Sequence, residues 1–266
     1  MIPVIPESAA VRDYPQMAAE RGRVEPTPRR VRGYVDGVLV FDTVAARYVW
    51  EVPYYPQYYV PVKDVRTQYL VDEDHSRRLQ FGTSRSHALH VNGVTIAESV
   101  RVFDGDDALP GIAGTARFAW DAVDWFEEDE RIVGGHPRNP YARVDALRSH
   151  RHVRVERDGV LLADTHAPVL LFETGLPTRY YIDRTDVTFE HLLATDTQTA
   201  CPYKGVTSGY WSVRIGDAVL PDLAWTYQYP DRQVATITGM IAFYNEQVDT
   251  VIDGTPLPRP RTHFTR

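Results

Sequence analysis

The chain has 266 residues, 43% of them hydrophobic, and its 29 Lys and Arg residues against 36 Asp and Glu residues give a formal net charge of −7 at pH 7. This acidic balance, with no long block of Lys and Arg, argues against nucleic acid or an anionic membrane as a partner, because both need a concentrated basic face. The apolar content suffices for ordinary cores, and without a long apolar run or a signal-peptide pattern we expect a soluble, cytoplasmic protein.

The sequence predicts the same domain twice. When the chain is slid against itself by about 122 positions, Asp36-Gly37 falls on Asp158-Gly159 and Glu51 falls on Glu173. Farther along, with a shift of about 125, Phe118 falls on Phe243. We therefore predict the following segments in chain order: an N-terminal arm (1–29), a first, degenerate β domain (30–126), a linker (127–152), a second β domain (153–254) and a C-terminal tail (255–266).

Most of the predicted elements are strands. Residues 35–42 and 153–164 alternate around Asp36-Gly37 and Asp158-Gly159, the strongest short-range signal for a β-hairpin. The few short helices are predicted within segments 8–22 and 141–149. Further β-branched and aromatic runs, separated by turn residues, predict strands at 180–182, 210–213, 224–227 and 240–244. The fold class that follows is mainly β.

One loop differs from the rest of the chain. Cys201-Pro202-Tyr203-Lys204-Gly205 holds the only cysteine, and it places a cation three positions after the thiol. The Pro/Gly setting is typical of a turn that presents a side chain to a pocket. Opposite this loop the first copy reads Leu79-Gln80-Phe81, without the thiol or the cation. Two copies with one such loop predict one functional site, in the second domain.

The residue types of this loop suit a small-molecule enzyme. A cation within a few ångströms of a thiol favours the thiolate, which attacks electrophilic carbon, and Lys204 can instead hold a substrate carboxylate or phosphate. We predict Cys201, Lys204 and Glu173 as catalytic residues. The predicted substrate-binding residues are Tyr181, Arg184, Tyr203, Tyr210, Trp211 and Trp225. The alternative is a non-catalytic metabolite-binding or interaction module, in which the same aromatic residues form the pocket and Cys201 merely packs.

The second copy resembles a known bacterial family. Its motifs Glu173-Thr174-Gly175, Arg179-Tyr180-Tyr181, Cys201-Pro202-Tyr203-Lys204-Gly205 and Tyr210-Trp211-Ser212-Val213 are similar to those of domain of unknown function 427. The first copy is similar in its first and last thirds and departs at the cysteine loop. The resemblance implies a compact fold of the β-tent type, related in shape to zinc-binding Mss4-like domains. It implies no established reaction, although a nucleotidyltransferase label is sometimes attached to the family.

The residues themselves do not favour a zinc site in either copy. The related folds hold zinc with four cysteines, which a chain with a single cysteine cannot supply. A mixed site of Cys201 with His166 or His191 lacks the tight ligand spacing that zinc sites usually show, and His150 and His152 form only a weak H-x-H pair. We therefore expect no metal and no cofactor.

Nucleotidyl transfer is not favoured either. Asp104-Gly105-Asp106-Asp107 is the one acidic cluster that could hold a triphosphate-bound metal ion, and no glycine-rich phosphate loop accompanies it. The expected partner is a small-molecule ligand of unknown identity. If single-copy relatives form symmetric dimers, the tandem copies replace the two chains of such a dimer, and the protein is expected to be a monomer.

Overall fold

The computed structural model describes residues 19–265, and within them the prediction of a mainly β fold is confirmed. Two compact units divide the chain between Pro140 and Tyr141. The predicted helix at 8–22 lies outside the described residues except for 19–22, which end in a turn. No helix within the described range is long and apolar enough to cross a membrane.

The first unit consists mostly of strands. In chain order these are β1 (Val24–Pro26), β2 (Val31–Val35), β3 (Val38–Thr43), β4 (Arg47–Val52), β5 (Tyr55–Pro61), β6 (Leu70–Leu79), β7 (Gly82–Val91), β8 (Val94–Phe103), β9 (Thr115–Phe118), β10 (Asp124–Glu127) and β11 (Glu130–Arg131). Short 3-10 helices lie at Val62–Asp64, Thr67–Tyr69 and Trp120–Ala122.

The second unit continues in the same manner. Its strands are β12 (Val144–Arg148), β13 (Val153–Arg157), β14 (Val160–Thr165), β15 (Val169–Glu173), β16 (Arg179–Ile182), β17 (Leu192–Thr195), β18 (Ala200–Cys201), β19 (Gly205–Val206), β20 (Gly209–Ile215), β21 (Ala218–Thr226), β22 (Ile241–Phe243), β23 (Asp249–Ile252) and β24 (Thr255–Leu257). Its 3-10 helices lie at Arg184–Asp186, Phe189–His191 and Arg232–Ile237.

Both units have one topology. Among the described residues, the first unit has a large sheet of seven strands, β1-β4-β5-β9-β8-β7-β6, and a small sheet of four, β11-β10-β2-β3. The second unit has a large sheet in the equivalent order, β12-β15-β16-β22-β21-β20-β17. Its small sheet, β14-β13-β23-β24, is the same arrangement as that of the first unit, read from the other edge. The second unit adds the two-stranded sheet β18-β19 where the first unit runs directly from β6 into β7. The sequence repeat is therefore a repeat of structure.

An Asp-Gly turn closes the first hairpin of each small sheet. Asp36 and Asp158 have φ angles of 47° and 50°, and the glycines that follow, Gly37 and Gly159, have φ angles of 75° and 78°. Two successive residues with positive φ are typical of the two-residue type I′ turn, whose twist matches that of a hairpin. The predicted hairpins are confirmed as β2–β3 and β13–β14.

The helical turn predicted at 141–149 is wrong, because this segment contains strand β12. β12 pairs antiparallel with β15, and its Val144 and Ala146 side chains pack against the core. A whole hairpin, β13–β14, separates the two paired strands in sequence, so no local turn signal announces the pairing. β1 pairs with β4 across β2–β3 in the same way. The stretches predicted as arm (1–29) and linker (127–152) thus each supply an edge strand to a large sheet.

The large sheet of the second unit is covered on both faces. The core between it and the small sheet includes Leu162, Val213 and Ile241. The opposite face, here called the aromatic face, is a cluster that includes Tyr181, Tyr210, Trp225 and Tyr227 together with Val234 and Ile237 of the 3-10 helix Arg232–Ile237. Successive residues of a strand point to opposite faces, so the aromatic face receives only every second residue of β20 and β21.

Candidate functional site

The Cys201–Gly205 loop is a tight turn between β18 and β19. The backbone N–H of Lys204 donates to the Cys201 carbonyl oxygen at 3.3 Å. Pro202 occupies the second position of this turn, where its fixed φ is favourable. Gly205 has φ of +95°, and a Cβ atom there would lie 3.4 Å from the carbonyl oxygen of Tyr229. The backbone conformation therefore favours glycine after Lys204.

The loop delivers Lys204 into a buried ion pair with Glu173 of β15. The Lys204 ammonium donates to Glu173 Oε2, and the two side chains are only 11% and 8% exposed. Burial by itself lowers the pKa of a lysine, but attraction to Glu173, with further contributions from Cys201 and Tyr227, outweighs it and raises the pKa of Lys204 well above its ordinary value. Lys204 is therefore charged at neutral pH, and its charge is balanced by Glu173.

Two tyrosines of the aromatic face contribute to the electrostatic surroundings of this ion pair. Burial raises the pKa of Tyr181 to about 12, with Lys204 opposing the shift. Burial also raises the pKa of Tyr227. The indole Nε1 of Trp225 donates to the Tyr181 hydroxyl oxygen at 3.3 Å. Both phenols are therefore neutral at pH 7, and each can donate one hydrogen bond.

Cys201 and Tyr203 lie at the outer side of the loop. The Cys201 thiol is free and half-buried, and it contributes to the raised pKa of Lys204. Tyr203 is half-buried, and its carbonyl oxygen accepts a hydrogen bond from Gln233 Nε2 at 2.9 Å. These two residues form the partly accessible side of the cluster.

The structure brings several of the predicted site residues together on the aromatic face. Lys204, Glu173 and Tyr181 are direct or electrostatic neighbours, and Trp225 contacts Tyr181. Tyr210 belongs to the same face, where its hydroxyl oxygen lies 2.9 Å from that of Tyr244 and its ring stacks 6.3 Å from the ring of Trp225. These positions follow from the alternation along β16, β20 and β21.

Arg184 and Trp211 lie on the other face of the large sheet. The Arg184 guanidinium carbon is 5.7 Å from the Trp211 ring centre and 4.8 Å from that of Phe189. Trp211 packs against the core that faces the small sheet. Both residues are therefore separated by the sheet from Lys204, and the arrangement is a cation–π stack.

Two features of the aromatic face were not predicted. Tyr227 lies two positions beyond Trp225 on the same face, and this period-2 spacing was the signal that could have revealed it. Arg179 forms a bidentate ion pair with Glu246, with nitrogen–oxygen distances of 2.6 and 2.8 Å. No short-range pattern links these two residues, since they lie on different strands and loops of the fold.

The Arg179–Glu246 pair joins the aromatic face to the tail. The Glu246 side chain is fully buried, and Thr262 Oγ1 donates to Glu246 Oε1 at 2.6 Å. Burial tends to raise the pKa of Glu246, but the hydrogen bonds and charge of Arg179 outweigh it and hold this pKa below its ordinary value. The Phe264 ring packs 5.5 Å from the ring of Tyr244.

The first unit neutralises the equivalent carboxylate, Glu51, with a different cation. Arg117 Nε lies 2.9 Å from Glu51 Oε1 and Arg117 Nη2 lies 3.2 Å from Oε2. The Tyr59 hydroxyl donates to Glu51 Oε1 at 3.0 Å, and Tyr59 is the counterpart of Tyr181. Arg117 lies on β9, at the position that Ala242 occupies on β22. The cation of the first unit is therefore carried by a strand and that of the second by a loop.

The loop of the first unit is apolar where that of the second carries a thiol and an ammonium. Leu79 and Phe81, at the tip of the β6–β7 hairpin, pack against a core cluster that includes Tyr59 and Phe103. Leu79 pairs with Gly82 as Cys201 pairs with Gly205. The first unit thus fills with hydrocarbon the region that holds the thiol and the ammonium in the second.

The acidic loop 104–107 has a local role in the first unit. Asp107 pairs with Arg78 and accepts hydrogen bonds from the Thr83 backbone N–H at 3.0 Å and from the Thr83 hydroxyl at 2.8 Å. These contacts fasten the loop to the β6–β7 hairpin.

A cavity in the second unit, of about 260 Å³, lies beside the tail and the Arg179–Glu246 pair, since Asn245 of its lining accepts a hydrogen bond from Arg179. Tyr180, Asn245 and Leu257 contribute to its lining, and none of the predicted site residues does.

Comparison with known proteins matches both units to one family. A family model described as Domain of unknown function (DUF427) matches residues 23–129 and 145–254. The two matched segments begin at the edge strands β1 and β12, so the repeated unit of the family includes the strand that completes each large sheet. No curated protein matches the chain.

Proposed function

The chain belongs to the family described as Domain of unknown function (DUF427), and from the residues of its second unit we propose that it binds a small molecule at the cluster of Cys201, Lys204 and Glu173. The observation that supports this proposal is the difference between the two copies. Neutralising the carboxylate needs only a cation on another strand of the same sheet, as Arg117 demonstrates for Glu51. Balancing the charge of the carboxylate therefore does not require the loop that carries Cys201 and Lys204.

The charges of the cluster indicate the class of ligand. Lys204 and Glu173 balance each other, so an entering ligand meets a site without net charge but with strong hydrogen-bonding groups. Tyr181 and Tyr227 add hydroxyl donors, and Trp225 offers apolar ring surface. A few polar groups within an aromatic lining are typical of small-molecule sites. The ligand we propose is a small neutral or zwitterionic molecule with an apolar part, which enters beside Cys201 and Tyr203.

Stabilisation by ligands tests this proposal. The double variant Glu173→Gln/Lys204→Met removes the ion pair without leaving an unpaired buried charge, and Glu51→Gln/Arg117→Met is the matched control in the first unit. We expect the melting temperature of the wild type and of the control to rise with some members of a set of amino acids, nucleosides and sugars. The second-unit variant should not respond to the same compounds. Equal responses of both variants would contradict the proposal.

Catalysis at Cys201 is the second candidate function, and the partly exposed thiol beside Lys204 favours it. In the folded protein, iodoacetamide should alkylate Cys201, and Lys204→Met should slow the reaction at fixed pH because the thiolate loses its neighbouring cation. Arg117→Met is the control and should leave the rate unchanged. A thiol that stays inert until the protein unfolds would make Cys201 a packing residue and leave the binding function alone.

We also propose that the protein is a monomer, since the tandem copies can take the place of two chains in a symmetric dimer. The free thiol suits the reducing conditions of the cytoplasm. Light scattering on the full chain tests the first statement, and a stable dimer in solution would contradict it.

A further inference from the structure

The small sheet of the second unit carries a cluster of possible metal ligands that the site above does not use. Among the described residues, His152, Asp164 and His166 each place a ligand atom within 4.8 Å of those of the other two. His152 Nε2 lies 2.6 Å from Asp164 Oδ1, and the two imidazole rings stack with centres 4.1 Å apart. From this geometry we propose that His152, Asp164 and His166 bind a divalent transition-metal ion such as Zn²⁺.

The strand register explains why the three side chains converge. Val153 pairs with Thr165, so His152 and His166 are the next pair outward on the two strands of the β13–β14 hairpin. Asp164 and His166 are two positions apart on one strand and therefore point to the same face. That face is open to solvent, because Asp164 and His166 are exposed while Thr165 between them is buried.

The donor set selects the class of metal. Two imidazoles and one carboxylate suit borderline ions such as Zn²⁺, Cu²⁺ and Ni²⁺, whereas Mg²⁺ and Ca²⁺ prefer oxygen ligands. Tetrahedral zinc needs donors about 3.3 Å apart, and exposed side chains with spacings of 2.6 to 4.8 Å reach this by small rotations. Each histidine binds a metal through a ring nitrogen that carries no proton. Three protein ligands leave a fourth position for water.

A neighbouring arginine orients the carboxylate. Arg154 Nε lies 3.5 Å from Asp164 Oδ2, and Asp164 Oδ1 faces His152. Arg154 attracts this oxygen by charge, without a hydrogen bond from its Nε, and leaves the other oxygen for a metal. The opposing effect of its positive charge is reduced because Arg154 also pairs with Glu156.

The first copy lacks this donor set. Arg30 occupies the position of His152 and forms a bidentate ion pair with Asp42, the counterpart of Asp164. Val44 occupies the position of His166 and is exposed. The aspartate is thus common to both copies, and the two imidazoles belong to the second alone. Each copy satisfies the aspartate, but only the second does so with groups that bind a metal.

Calorimetric titration of the untagged full chain with Zn²⁺ tests the proposal. We expect one saturable binding step near one ion per chain in the wild type. His166→Ala should weaken this step by at least about 10–100-fold, the loss that removal of an outer-shell partner alone can cause. The double variant His152→Arg/His166→Val, which installs the first copy's residues and its Arg–Asp pair, should lose it. His191→Ala is the control for a partly exposed histidine elsewhere in the second unit and should bind as the wild type does.

Two further measurements guard against misfolding and binding elsewhere. Without metal, the melting temperatures of the wild type and the double variant should agree, and Zn²⁺ should raise only that of the wild type. Replacing Zn²⁺ with Co²⁺ should give the visible absorption of a bound ion with nitrogen and oxygen ligands in the wild type only. The absence of a saturable step in the wild type, or equal binding by the double variant, would overturn the proposal.

Discussion

The two copies hold an equivalent carboxylate, Glu51 or Glu173, and balance it from different directions. In the first unit Arg117 of β9 reaches Glu51 of β4 across the intervening strand β5, and the tip of the β6–β7 hairpin is apolar, with Leu79 and Phe81. In the second unit the position of Arg117 belongs to Ala242, and Lys204 reaches Glu173 from the loop. The fold therefore requires a partner for the carboxylate but does not prescribe where it comes from.

This difference distinguishes the cation that the fold requires from the groups that are available to bind a ligand. A cation on a strand inside a sheet has little freedom, and a guanidinium that binds both carboxylate oxygens is fully used. The ammonium of the second unit lies on a turn that also carries the thiol of Cys201. The second unit thus places polar groups where the first has only packing. The same contrast appears on the small sheets, where an Arg–Asp pair faces a His–Asp–His cluster.

The largest effect is expected for Glu173→Gln. This change leaves Lys204 buried and unpaired, and breaking a buried ion pair from one side costs about 3–5 kcal/mol. Adding Lys204→Met should restore most of the free energy of unfolding, because an apolar pair avoids the desolvation of both ions. Chemical denaturation, with hydrogen exchange to assign the loss to residues 141–265, measures both. A double variant no more stable than the single one would show that the ion pair is not what stabilises the loop.

Arg179→Met should cost about 3 kcal/mol at neutral pH, because Glu246 is left buried without its partner. The effect depends on pH with a definite sign. In the wild type the pKa of Glu246 is held below its ordinary value of 4.5, so its contribution is present above that pH and is lost as pH falls through the lowered value. In the variant the hydrogen bond from Thr262 remains, but without Arg179 burial favours the protonated acid more than in the wild type. The difference in unfolding free energy should therefore shrink between pH 7 and pH 3, and a constant difference would contradict this account.

The glycines that close the two loops offer an intermediate effect. A Cβ atom at Gly82 would lie 2.7 Å from the backbone Cα of Ala108, and the φ angle is +129°. At Gly205 the nearest atom, a Tyr229 carbonyl oxygen, would lie at 3.4 Å. We expect Gly82→Ala to cost about 2–3 kcal/mol and Gly205→Ala about 1–2 kcal/mol, since the positive φ strains an alanine at both positions and a close backbone contact is added only at Gly82. The reverse order in denaturation experiments would mean that the second loop is the tighter one.

Local sequence signals predicted the hairpins. The elements that they did not predict are strands whose partners are distant in sequence. Asp36-Gly37 and Asp158-Gly159 identify their turns because two adjacent residues encode the geometry. β1 and β12 were not predicted, because an entire hairpin lies between each strand and its partner in the sequence. The β-tent likeness and the domain boundaries stay predictions.

The same distinction explains the candidate site. The loss of Cys201 and Lys204 from one copy singled out the loop, and Glu173, predicted as a polar partner of its pocket, forms an ion pair with Lys204. Tyr210 and Trp211 are adjacent on a strand, so period 2 requires them to face opposite layers, and only Tyr210 can join the aromatic face. The Glu51–Arg117 pair could not be predicted, because only the register of β5 with β9 brings the two residues together.

The smallest effect is expected for Glu51→Gln, the counterpart of Glu173→Gln. Glu51 and Arg117 are 24% and 14% exposed, so water can solvate whichever charge is left. We expect a loss of about 1–2 kcal/mol, between the values for exposed and buried ion pairs. Arg117→Ala, which installs the second copy's residue, should cost a similar amount, whereas Lys204→Met alone should cost more because Glu173 is only 8% exposed. Denaturation of all three variants under one set of conditions measures this order. If Glu51→Gln proved as costly as Glu173→Gln, the two carboxylates would be equally dependent on their cations, and the loop of the second unit would be a structural alternative to Arg117 rather than a site for a ligand.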